Sequence, residues 1–146
     1  MKRYVSGLSK ADPTPDQGIP DGVFLVRVER AQHRWQAHKP YFCVQFLVIE
    51  PMEMRGLRFS ARLYTTAKAL WKLNWFLRDF GYDRELLGRD EIDDKNLVEL
   101  SGVVKVRHTV MKGASLLNLD AFAPKDRWPE LVIGTNELDN PTRVPS

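Results

Sequence analysis

Between residues 21 and 125, apolar and polar positions alternate with a period of two in five segments and with a helical period in one. From Val23 to Arg30, Phe24, Val26 and Val28 share one face, with Arg27 and Glu29 on the other. From Tyr41 to Glu50, Phe42, Val44, Phe46 and Val48 point one way, and Tyr41, Cys43, Gln45, Leu47 and Ile49 the other. From Leu57 to Tyr64, Leu57, Phe59, Ala61 and Leu63 alternate with Arg58, Ser60, Arg62 and Tyr64. This pattern predicts half-buried strands, with Pro51 and Gly56 bracketing the turn between the second and third. The period then changes. Thr65 or Thr66 is the expected N-cap of a helix reaching Phe80, with Leu70, Leu73, Leu77 and Phe80 forming its apolar stripe. Trp71 flanks that stripe and is expected in the core, and Gly81 is the expected stop. Two further strands, Gly102 to Val110 and Ser115 to Phe122, are joined by a Lys112-Gly113 turn.

The resulting order is β-β-β-α-β-β. It predicts a mainly β protein, a five-stranded OB-type Greek-key barrel with one helix between strands 3 and 4. Such barrels bind ligand at strands 2–3 and at the loops joining strands 1–2 and 4–5. Residues 1–20 carry Pro13, Pro15 and Pro20 among sparse apolar positions and are expected to be a flexible N-terminal tail. The barrel is assigned to residues 21–125. Residues 126–146 are expected to be a C-terminal tail, partly docked through Trp128, Leu131, Val132 and Ile133.

At 146 residues the chain suits one domain. Cys43 is the only cysteine, so an intrachain disulfide is excluded and a cysteine-based zinc site is disfavoured. No apolar run approaches the ~20 residues of a membrane span, and no apolar segment follows Lys2-Arg3 as in a secretory leader. A cytoplasmic location is therefore expected, with no membrane partner. The charge is segregated: the predicted strands and helix (22–82 and 100–125) hold 14 Lys/Arg against 5 Asp/Glu. Residues 83–99 hold 3 against 7. A basic body with its acids confined to a loop and a tail suits a polyanionic partner.

The connection from Ala31 to Pro40 gathers Arg34, Trp35, Lys39, His33 and His38 with no acid. Single-strand binders need cations for phosphates and aromatic faces for bases, and this loop offers both. The outward face of the third strand adds Arg58, Arg62 and Tyr64, with Tyr41 as a further ring. Lys105 and Arg107 lie on the fourth strand and Lys112 at the last hairpin tip. Catalytic chemistry has little footing. His33, His38 and Cys43 match no recognised metal spacing. The acids at 90–94 lack the glycine and closing glutamate of a calcium loop, and neither a phosphate loop nor a nucleophile elbow is present. No catalytic residue, metal or cofactor is expected.

Residues 21–124 resemble a family of phage and prophage proteins related to single-stranded-DNA-binding OB folds and often carried as a domain of unknown function. The resemblance rests on Pro20-Asp21-Gly22, Lys39-Pro40-Tyr41, Gln45-Phe46-Leu47-Val48-Ile49-Glu50, Arg55-Gly56-Leu57, Ala69-Leu70-Trp71-Lys72-Leu73, Phe76-Leu77, Phe80-Gly81, Leu100-Ser101-Gly102, Asn118, Phe122 and Pro124. It implies a role in phage DNA recombination or replication, in the bacterial host cell. The expected function is thus non-enzymatic binding of single-stranded DNA, with RNA as an open alternative. A second copy of the chain and recombination or replication proteins are the further expected partners. The rival expectation is a protein-interaction or structural accessory subunit, in which Leu47, Ile49 and Val103 build an interface and the basic face is incidental.

Overall fold

β1 (Gly22–Gln36), β2 (Lys39–Glu50) and β3 (Arg58–Tyr64) run as an antiparallel meander. α1 (Leu70–Asp79) and α2 (Arg84–Gly88) follow, and β4 (Ser101–Met111) and β5 (Ala114–Pro124) close the chain as a hairpin. The computed structural model describes residues 18–36 and 38–132. The strands form one five-stranded antiparallel sheet in the order β3-β2-β1-β4-β5, so the protein is mainly β, as the alternation predicted. Among the described residues no helix is long and apolar enough to cross a membrane.

One face of the sheet carries the core. Phe24, Val26, Val28, Phe42, Val44, Phe46, Val48, Phe59, Val104, Val106 and Phe122 are buried there. Helix α1 covers them: Phe76 lies against Phe46 and Phe122 at ring-centroid distances of 6.0 and 5.6 Å. Phe46 stacks on its cross-strand partner Phe59 at 5.2 Å. Lys112 and Gly113 both take positive φ in the β4–β5 turn, the conformation a two-residue hairpin of matching twist requires.

Three elements depart from the sequence expectations. The segment 31–36 is not a loop but the distal half of β1, paired with β2 up to Gln36↔Lys39. Gln32, His33, Arg34 and Trp35 are exposed, so this ribbon is wet on both faces, and the apolar alternation that marks a strand is absent. Helix α1 starts at Leu70, and neither threonine caps it. The Thr65 hydroxyl instead donates to the Pro40 carbonyl at 3.2 Å, tying the chain to β2. The buried stripe is therefore Leu73, Phe76, Leu77 and Phe80, while Leu70 is largely exposed and Trp71 is 63% exposed, outside the core. The acidic segment also holds a helix, because Asp83 caps α2 by accepting the Glu85 and Leu86 amides at 2.8 and 3.2 Å.

The ends differ too. Ile19, inside the expected tail, is 2% exposed and belongs to the core. Asp21 accepts the His108 amide at 2.8 Å, pinning the start of β1 to β4. At the other end residues 128–132 are helical, with Trp128, Leu131 and Val132 half-buried; Ile133 and residues 1–17 lie outside the described residues.

A bulge decides what β1 presents. Val28 pairs with Phe46, and the next register pair is Arg30↔Gln45, so Glu29 is an extra residue on β1. A one-residue insertion of this kind resets which side chains face which way. Before it, Val26 and Val28 face the core; after it, Ala31 pairs with buried Val44 while Arg30, Gln32 and Arg34 turn outward.

Candidate nucleic-acid interface

The outward face of β1, β2 and β3 is a grid set by strand register. Arg27, Leu47 and Arg58 form one row; Arg30, Gln45 and Ser60 the next; Gln32, Cys43 and Arg62 a third; Arg34, Tyr41 and Tyr64 a fourth. Side chains opposite one another in an antiparallel pair lie about 5 Å apart, so five arginines share one continuous surface. Lys39, two residues before Tyr41 on β2, extends the same face. A shallow concavity of about 460 Å³ opens in its middle, lined by Arg30, Gln32, Arg34, Cys43, Gln45 and Ser60.

The electrostatics are one-sided. Glu29 is the acid among these rows, and it is engaged by Arg58 at 2.8 Å. That hydrogen bond holds the Arg58 guanidinium above the ordinary arginine range. Among the described residues no ion pair engages Arg27, Arg30 or Arg34. Arg34 donates to the Gln32 side-chain oxygen at 2.7 Å, which orients its guanidinium along the strand. Arg62 lies 5.0 Å over the Tyr41 ring, and its hydrogen bond with Tyr64 raises its pKa further. Tyr41 is therefore only 6% exposed. Tyr64, half-buried at the edge and 5.4 Å from Tyr41, is the ring this face presents.

Of the residues singled out from sequence, Arg34, Lys39, Tyr41, Arg58, Arg62 and Tyr64 come together here. Trp35 does not. It is 69% exposed, but it projects to the opposite side of the ribbon, edge-on to His33 at 5.7 Å, with His33 in turn against Phe42 at 5.0 Å. Lys105 and Arg107 stand on the outward face of β4 beside the start of β1, where Lys105 pairs with Val23. Val23 lies four residues before Arg27, the near end of the grid, and eleven before Arg34, about 35 Å along a straight strand. Arg107 is also paired with Asp120 at 3.0 Å, and Lys112 tips the β4–β5 hairpin. None of the three falls in the four rows of the grid.

Arg27, Arg30, Gln32 and Gln45 were missed by sequence reasoning. The signal for two of them was the alternation Arg30, Gln32, Arg34, which continues the strand past Arg30 once the segment is read as a ribbon. Leu47 and Ile49 are half-buried and Val103 is 2% exposed within the chain itself, so Val103 offers no surface for the rival interface. Among the described residues no three His, Cys, Asp or Glu side chains are grouped to hold a metal ion. No family model and no curated protein matches the chain.

Proposed function

We propose that this protein is a non-enzymatic binder of single-stranded DNA that holds the strand across the outward face of β1, β2 and β3. The observation that carries the reading is the arginine grid: Arg27, Arg30 and Arg34 on one strand and Arg58 and Arg62 two strands away, against a single acid in those rows that is already paired. Guanidiniums hydrogen-bond phosphate oxygens in a fixed fork. The Gln32 and Gln45 amides between them supply donors and acceptors for sugars or base edges, and Tyr64 supplies a ring for stacking. A sheet face of this shape admits an extended single strand with its bases splayed, and presents no helix to a major groove.

The fold reading agrees. A meander of three strands, a helix, and a hairpin returning beside β1 supports the reading as an OB-type Greek-key barrel, in which β3 and β5, at the two edges of the sheet, would meet. In that barrel the face over strands 2 and 3 is the ligand side. The resemblance to phage single-strand binders extends the proposal to recombination or replication.

The test is a titration against fluorescent oligonucleotides of about 15–30 nucleotides, as DNA, RNA and duplex, at several salt concentrations. Micromolar or tighter binding to single strands, weaker binding to duplex and a negative log–log salt slope are expected. No binding at low salt would overturn the nucleic-acid reading. Equal affinity for duplex would overturn the single-strand reading, and preference for RNA would reassign the substrate.

A further inference from the structure

On the side of the β1–β2 ribbon away from the arginine grid lies a cavity of about 590 Å³, between the ribbon, the start of α1 and the segment 90–94. Its floor is apolar: Phe42 and Leu73 are buried, and Ile92 is half-buried beside them. Its rim is acidic, formed by Asp90, Asp93 and Asp94. Among the described residues no lysine or arginine forms an ion pair with any of these three carboxylates. The rim is held in place from below. The Tyr82 hydroxyl, on a buried side chain, donates to the Glu91 carbonyl at 3.1 Å and accepts the Asp93 amide at 2.9 Å. Leu70, largely exposed on α1, also lines the cavity, and the exposed Trp35 stands edge-on to the lining His33.

The chemistry excludes a polyanion and specifies its complement. The aspartates are spread along a rim and are not gathered for a metal ion. A cavity of this size falls in the range that takes a few side chains or a small ligand. The exposed Trp35 and Leu70 extend the apolar surface beyond the cavity, and aromatic residues of that kind are enriched in protein interfaces. We propose that this cavity docks a partner protein through a short segment in which a lysine or arginine stands beside an aliphatic or aromatic side chain. The apolar side chain enters over Leu73 and Phe42, and the cation meets the carboxylates of the rim. This goes beyond the nucleic-acid reading and does not depend on it. The cations lie on one side of the ribbon and the acids of the segment 90–94 on the other, so a strand on one side and a peptide on the other do not compete.

The test uses the full chain and a fluorescein-labelled, end-capped octapeptide, Gly-Ser-Lys-Leu-Arg-Tyr-Gly-Ser, followed by anisotropy. Two controls replace Leu and Tyr by Ser, or Lys and Arg by Glu. The first peptide is expected to bind with a Kd of about 10–100 µM, and both controls at least roughly fivefold more weakly. Asp90→Lys with Asp94→Lys is expected to abolish binding of the basic peptide and to confer binding of the Glu peptide. That gain of function separates docking from misfolding. Arg30→Ala with Arg34→Ala is expected to leave peptide binding unchanged. Absence of binding at about 1 mM, equal binding of the Ser control, or indifference to the rim reversals would each overturn the proposal. A self-associated protein that dissociates on rim reversal would assign the cavity to a second copy instead.

Discussion

Arg34 and Trp35, adjacent in sequence, project to opposite faces of the β1–β2 ribbon: Arg34 stands across from Tyr41 in the arginine grid, and Trp35 stands edge-on to His33 over the apolar cavity. Their variants should therefore part company. Arg30→Ala and Arg34→Ala should each weaken single-stranded DNA binding and make the log–log salt slope shallower by about 0.7 for each phosphate that is no longer neutralised. Trp35→Ala should leave oligonucleotide affinity within about twofold, because its ring lies on the side of the ribbon away from the grid. A loss at Trp35 of the ~1–3 kcal/mol expected of base stacking would put the strand on the other face of the ribbon.

Burial sorts two of the helix aromatics by stability. Phe76 is fully buried against Phe46, Phe80 and Phe122, so Phe76→Ala should cost about 3–5 kcal/mol. Trp71 is mostly exposed and lies beside Trp75 at 6.2 Å between ring centroids, so Trp71→Ala should cost less than about 1 kcal/mol. Ile19→Ala, within a segment expected to be tail, should cost about 2–5 kcal/mol. Urea melts of the three variants check the order; a Trp71 variant as unstable as the Phe76 variant would contradict it.

Gly102 faces Phe80 so closely that a Cβ there would meet the buried ring at 2.6 Å. Gly102→Ala should therefore destabilise the fold by roughly 1–3 kcal/mol through overpacking. Phe80→Leu in the same chain should recover part of that loss. Additive losses in the double variant would mean that the ring is not what excludes the methyl group.

Two aspartates should shape the acid limb with opposite sign. The side-chain and backbone hydrogen bonds of His108 hold the Asp21 carboxyl below the usual carboxylate range. Its stabilising contribution is complete above its unfolded pKa, about 4, and is lost as pH falls through the lower folded value. Burial raises the Asp79 carboxyl, against the hydrogen bond donated by Trp75. Its charged form is therefore a cost that appears as pH rises through the unfolded pKa and is complete above the folded one. Asp21→Asn should lower Tm at pH 7, by an amount that shrinks as pH falls below about 4 toward the acid end. Asp79→Asn, which keeps an acceptor for Trp75, should raise Tm at pH 7 and do nothing near that end. A fall in Tm at pH 7 for Asp79→Asn would show that its attraction to Arg78 and Arg127 outweighs burial.

The strands were legible because a sheet with one buried face writes its register into the sequence as alternating apolar residues, as at Phe42, Val44, Phe46 and Val48. The distal ribbon was not, because Gln32, His33, Arg34 and Trp35 are exposed and carry no such alternation. The candidate arginines and tyrosines were recognisable by type, yet their grouping was not. Whether Arg34 or Trp35 joins Arg62 depends on parity along β1, which one extra residue inverts. The start of α1 was misplaced because the Thr65 hydroxyl is taken by a carbonyl on β2, distant in sequence.

The bulge at Glu29 lets the length of β1 change without changing which face each residue beyond it takes. Loss of the single codon for Glu29 would join Val28 to Arg30 and leave Arg30 opposite Gln45, with Arg30, Gln32 and Arg34 still in the grid and His33 and Trp35 still on the apolar side. One in-frame deletion would thus remove the bulge without exchanging the chemistry of the two surfaces. Homologues of this chain that are one residue shorter at this position should carry their cations on the same face of the ribbon, and sequences compared across such an indel should be aligned with the gap at the bulge.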